Sequence, residues 1–184
     1  RAKMTIAESK RKTNIVEFLL YSWQMEDLLR SIKFKLDDLE GVLSSQFEGE
    51  QLEEERKWFL ELNRKMKSER LEESGHTSEN TEILIELVYL HGSLLSVFKD
   101  QKFIEADEGA KEYIEEFKSK STKSIGNDVE VCLVALYGLL SLRLKGAEVS
   151  SDTMLAMKKF QRLLAILADR YRKMKDGTLQ VKLN

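Results

Sequence analysis

The sequence predicts an all-α fold of six or seven antiparallel helices in a single bundle of helical hairpins, with no β-sheet. Three observations carry this. The 184 residues contain no proline, so the strongest helix breaker is missing. Apolar residues recur at helical spacing in segment after segment. Between these segments stand Asn, Ser, Thr and Gly, the residues that cap or stop helices.

Residues 1–13 read as a flexible basic N-terminus, with Met4 a candidate natural start. Arg11 and Lys12 interrupt any apolar stretch before Ile15, so the layout of a secretory signal is not seen. The first helix is predicted to start at Asn14, whose side chain can accept bonds from free amides while Glu17, three residues on, completes a capping-box-like pattern. It runs to about Phe34. Phe18, Tyr21, Met25, Leu28, Leu29 and Ile32 form one broad apolar arc, widened by Ile15, Leu19 and Trp23, which implies packing on more than one side. A short second helix starts at Asp37 with Leu39, Val42 and Leu43 as its contacts, and Gly49 marks a loop.

The third helix, about Gln51 to Glu73, is highly charged, with Leu52, Phe59, Leu62 and Met66 on one stripe and Trp58 beside it. Ser74-Gly75-His76-Thr77-Ser78 reads as a stop followed by a new cap. The fourth helix spans roughly Glu79 to Lys99. The fifth, Phe103 to Lys118, carries Phe103, Ala106, Ala110, Ile114 and Phe117 on one side, followed by a polar loop from Ser119 to Gly126. Asn127 with Glu130 repeats the capping pattern and opens a sixth helix, Asp128 to Lys145, apolar nearly all round and expected to be central. Gly146 stops it. Ser150 or Ser151 caps a seventh, whose Met157, Phe160, Leu164, Leu167, Tyr171 and Met174 are spaced like a coiled-coil seam, and Gly177 ends it. The tail, 178–184, alternates Leu179, Val181 and Leu183 and suits either an edge strand or an exchanged arm. The whole chain, 1–184, reads as one domain.

Residues 85–92 lie over residues 131–138 with Leu87/Leu133, Val88/Val134, Leu90/Leu136 and Gly92/Gly138 coinciding. Two related helical hairpins would give this echo; so would chance matching of Leu-rich buried helices. Glycine inside a helix costs about 1 kcal/mol relative to alanine, and a close helix crossing at both glycines is the expected compensation.

Composition limits function. A chain of this length buries roughly 70% of its unfolded surface and has no need of disulfides or structural metal. The single Cys132 has no intramolecular partner, and no apolar run approaches the ~20 residues of a membrane span. A soluble cytoplasmic protein is therefore expected. A net charge of −2 exerts no global pull on nucleic acid or anionic membrane. The distribution is uneven, however: Asp37 to Glu55 holds eight acids and no Lys or Arg, whereas Lys158 to Asp176 holds seven bases and two acids. This asymmetry suits solvated faces with local pairing, or docking to an oppositely charged protein or a second copy. Arg170, Arg172, Lys173 and Lys175 beside Tyr171 make a weak nucleic-acid surface.

No phosphate loop and no dinucleotide-binding glycine turn occur. The one Glu-x-x-His match, Glu73 to His76, falls at a predicted helix end, and His91 has no visible partner. Two histidines and one cysteine make a zinc site improbable, and a carboxylate-rich site would leave no readable spacing, so no metal and no cofactor is expected. His91 projects among Leu84, Leu87, Leu94, Leu95 and Phe98 as a satisfied core histidine, and Cys132 reads as inert packing.

Tyr21, Trp23, Glu26, Arg30, His91 and Tyr137 form the candidate polar cluster, structural or ligand-facing. Glu26 lies inside an apolar arc and needs a partner, for which Arg30, four residues on, is the obvious choice. That pair either ties the helix to its neighbours or lines a cleft.

Asn14-Ile15, Tyr21, Trp23-Gln24 and Glu26-Asp27-Leu28 within the stretch Lys10 to Arg30 resemble the opening of a Bacteroidetes-type family of small all-helical proteins classed as a domain of unknown function. The resemblance implies a helical fold in bacterial cytoplasm and no reaction. The expectation is a non-enzymatic interaction or scaffold protein, possible as a homodimer or with an unidentified protein partner. A small-molecule cleft near Glu26, Arg30 and His91 is the first alternative, and weak nucleic-acid binding by the basic C-terminal helix the second.

Overall fold

The computed structural model describes residues 3–180. These form eight helices and no strand: α1 (Ile6–Thr13), α2 (Ile15–Ser31), α3 (Leu36–Gln46), α4 (Gly49–Ser68), α5 (Ser78–Ser96), α6 (Gln101–Lys120), α7 (Asp128–Leu144) and α8 (Ser151–Lys175). Residues 178–180 of the expected strand or arm are not extended into a strand, and 181–184 lie outside the described residues. Among the described residues no single helix is long and apolar enough to cross a membrane; α5 and α6 reach that length and hydropathy only as a pair bent by 109°. Within α5 the chain divides into two compact units, Arg1–Glu82 and Ile83–Asn184.

In the first unit the extra helix is α1, in a segment expected to be flexible. Its start is fixed by a capping box: Glu8 N–H donates to Thr5 Oγ1 (3.0 Å) while Thr5 N–H donates to Glu8 Oε2 (3.1 Å). The buried Glu55 carboxylate then accepts the free Ile6 N–H at 2.7 Å, tying α1 to α4. Asn14 caps α2 as expected, accepting from Val16 and Glu17 N–H. The second half of the expected capping box is lacking because Asn14 N–H donates to Lys10 O, the last turn of α1.

Two bends place the first core. After α2, Lys33 (φ 54°) and Phe34 (φ 59°) adopt left-handed backbone, so the helix ends at Ser31 and Phe34 turns inward against Leu29, Leu39, Leu43, Phe59, Leu62 and Met66. After α4, Arg70 (φ 59°) ends the helix five residues before the expected Glu73, and Leu71 packs on the same cluster. Gly75 (φ 97°) is a real requirement: a Cβ there would lie 3.0 Å from Leu71 Cδ2, on top of the backbone strain. Gly49, expected in a loop, is instead the first residue of α4.

In the second unit α8 packs along both α6 and α7. Its seam is buried at Met157, Phe160, Leu164, Leu167 and Tyr171. Asn127 caps α7 through Glu130 N–H (2.8 Å) and Ser150 caps α8 through Thr153 N–H (3.2 Å). The helix expected to be central, α7, buries Val129, Val131, Cys132, Leu133, Ala135, Leu136 and Leu139, but its last turn exposes Leu142 and Leu144. The close crossing expected at Gly92 and Gly138 is not found. Nothing lies within 4 Å of a Cβ built at either, and both are exposed.

Candidate functional site

The expected cluster separates into two groups, one in each unit. In the first, α2 directs Ser22, Trp23 and Glu26 inward and Arg30 toward the loop between α4 and α5. The expected Glu26–Arg30 pair does not form. Glu26 is fully buried; its Oε1 is 2.8 Å from His76 Nδ1, and its Oε2 accepts the Thr77 N–H at 2.9 Å. Arg30 Nε donates to Leu71 O at 3.0 Å, and its two other nitrogens bond Asp27 and Gly75 O. The physical reason is complementarity. The loop turns backbone carbonyls toward Arg30, which can only donate, and presents an N–H at the start of α5 to a carboxylate, where the helix dipole also favours negative charge.

The rest of this group fastens the same segment. The Trp23 indole stacks on His76, with centroids 4.3 Å apart and planes 15° apart. Asn80 Nδ2 donates to Ser22 Oγ (2.8 Å), and Asn80 N–H caps onto Thr77 Oγ1 (3.3 Å). Residues 71–80 are thus held to one face of α2 by a carboxylate, a guanidinium, an indole and a hydroxyl. Tyr21 is directed elsewhere. Its ring is 6.0 Å from Trp58 with Lys10 Nζ over it, and burial, then the Glu55 charge, push the phenol well above its ordinary range. A cleft of about 230 Å³ in this unit is lined by Phe18, Ser22, Trp58, Thr77, Asn80 and the Arg11–Glu79–Lys65 ion pairs; Trp23, Glu26 and Arg30 do not line it.

His91 and Tyr137 belong to the second unit. His91, expected as a satisfied core histidine with no partner named, is partly buried and has one: its Nε2 is 2.8 Å from Asp107 Oδ1 and its ring is edge-on to Phe103. Burial alone raises the Asp107 carboxyl, but the bond to His91 and the charges of His91 and Lys111 outweigh it and hold it below the usual carboxylate range. Asp128, the first residue of α7, accepts from Lys118 Nζ at 2.9 Å. Lys111 Nζ lies 3.8 Å from Asp107 and 3.9 Å from Asp128. Ligand atoms of His91, Asp107 and Asp128 all fall within 4.8 Å of one another. Tyr137 is half-buried on α7, its carbonyl taken by Ser141 Oγ (3.1 Å). Cys132 is buried, and burial, then Asp128 and Asp107, push its thiol up. It has the surroundings of an unreactive thiol.

The four bases near the end of α8 are engaged. Arg170 pairs with Asp100 and Asp169 (2.6 Å each), Arg172 and Lys173 with Asp169, and Lys175 with Glu86. Among the residues of these groups that escape sequence reasoning are Glu55, His76, Asp107 and Asp128. Glu55 alone had a signal, since it shares a face with Phe59 and Leu62 one and two turns on. The other three are brought to their partners by tertiary structure.

The chain belongs to the family described as a domain of unknown function, DUF4924, whose model matches residues 4–178. No curated protein and no solved structure matches it.

Proposed function

We propose that this protein is a non-enzymatic helical interaction protein of the bacterial cytoplasm that self-associates through the outward face of α5. The observation that carries the reading is the exposure of Tyr89, 76%, with Ile85 at 52% one helical turn before it. Two large apolar side chains so exposed and adjacent on one helix face make a small apolar patch that a partner helix could cover. Gly92 and Ser96 continue the stripe with small residues, so a second copy of the same helix can approach closely and offer its own Tyr89 in return, as a two-fold interface requires. The clamp on α2 supports the same reading: its buried carboxylate is committed to holding a loop and does not line the neighbouring cleft. Nucleic-acid binding draws less support, because Arg170, Arg172, Lys173 and Lys175, the bases that would meet phosphates, already pair with Asp100, Asp169 and Glu86.

Sedimentation velocity over a concentration series tests the proposal. The native chain is expected to sediment faster as concentration rises, and Tyr89→Glu and Ile85→Glu to remain monomeric while melting normally. A native chain that is monomeric at every concentration overturns it.

A further inference from the structure

We propose that His91, Asp107 and Asp128 form a binding site for a divalent transition-metal cation of the zinc or cobalt type. The three side chains come from α5, α6 and α7 and converge until their ligand atoms lie within 4.8 Å of one another. Donors around an ion with bonds of about 2.0–2.2 Å stand about 3.3–4.4 Å apart, so an ion would replace the 2.8 Å His91–Asp107 hydrogen bond, the two side chains each moving by under about 1 Å. One imidazole with two carboxylates is a donor set for zinc, cobalt or manganese, and the order of intrinsic affinities favours zinc and cobalt. The site is also supported from outside. Phe103 meets the His91 ring edge-on, centroids 5.4 Å apart, and fixes its plane. Lys118 bonds Asp128 Oδ1 at 2.9 Å, and Oδ2 has the loose contact to Lys111.

Lys111 shows where positive charge is wanted. Its ammonium stands between the outer oxygens of both aspartates at 3.8 and 3.9 Å, too far for a hydrogen bond to either, on a side chain 59% exposed. A cation bonded directly to both carboxylates displaces that loose contact at little cost, because the lysine swings into solvent.

The test uses the full chain, stripped with a chelator and titrated with zinc or cobalt chloride, read by calorimetry and by thermal melting. One ion per chain, a rise in Tm, and an affinity lowered about tenfold or more by Asp128→Asn and by His91→Gln are expected. The chain has two histidines, so an imidazole nitrogen spectrum, with His76→Gln for assignment, locates the ion even where a variant folds poorly: the His91 signals should move and those of His76 should not. No heat and no Tm change up to about 1 mM metal, or binding that shifts His76 alone, or binding that survives both ligand variants, overturns the proposal.

Discussion

Asp169 makes the clearest statement at the scale of one residue. Burial works to raise its carboxyl, but hydrogen bonds from Arg170, Arg172 and Lys173 overcome that and hold it at about 2, against an ordinary 3.8. A carboxylate whose pKa is depressed by folding contributes stability that is fully present above its unfolded value and is lost as pH falls through its folded one. The native chain should therefore be more stable than Asp169→Asn at pH 6, and the gap should close between about pH 4 and pH 2. Denaturant melts at a series of pH values check this; a gap independent of pH would place the role of Asp169 elsewhere. The same scale explains what was legible in the sequence around Glu26. That a carboxylate in an apolar arc needs a partner follows from its position alone. Which partner it finds does not: Arg30 is a turn away in sequence, whereas His76 and Thr77 arrive from fifty residues on through the turn at Gly75.

At the scale of elements, starts were legible wherever a cap and an apolar pattern agreed, as at Asn14, Asn127 and Ser150. Ends were less so. α2 and α4 stop early at Lys33 and Arg70, non-glycine residues in left-handed backbone, a conformation their side chains do not advertise. α1 was not legible because only Ile6 and Ala7 are apolar in it, beside Lys10, Arg11 and Lys12; the cap at Thr5 and the buried Glu55 supply what so small an apolar face lacks. Gly138 was legible as a helical glycine, but the sequence does not say whether another helix approaches it. It is exposed in mid-helix with open space where a Cβ would stand. Gly138→Ala should therefore stabilise the chain by about 1 kcal/mol, visible as a higher Tm. A loss of stability would mean a close neighbour at that position after all.

For the molecule as a whole, the all-α class follows from the missing prolines and the helical spacing, and the match to one family over residues 4–178 agrees with the resemblance carried by α2. The two compact units were not legible, because α5 runs through the division as one uninterrupted helix. Nor was the separation of the six expected site residues between them, since spacing along a helix says nothing of which core that helix serves. What unites the first unit is the fastening of residues 71–80 to α2 through Glu26. Hydrogen exchange at the Thr77 amide, measured in the native chain and in Glu26→Gln, tests that most directly. The amide should be protected in the native chain and exchange much faster in the variant, with a stability loss of about 1–3 kcal/mol. Equal exchange and equal melting in the two proteins would contradict a structural carboxylate.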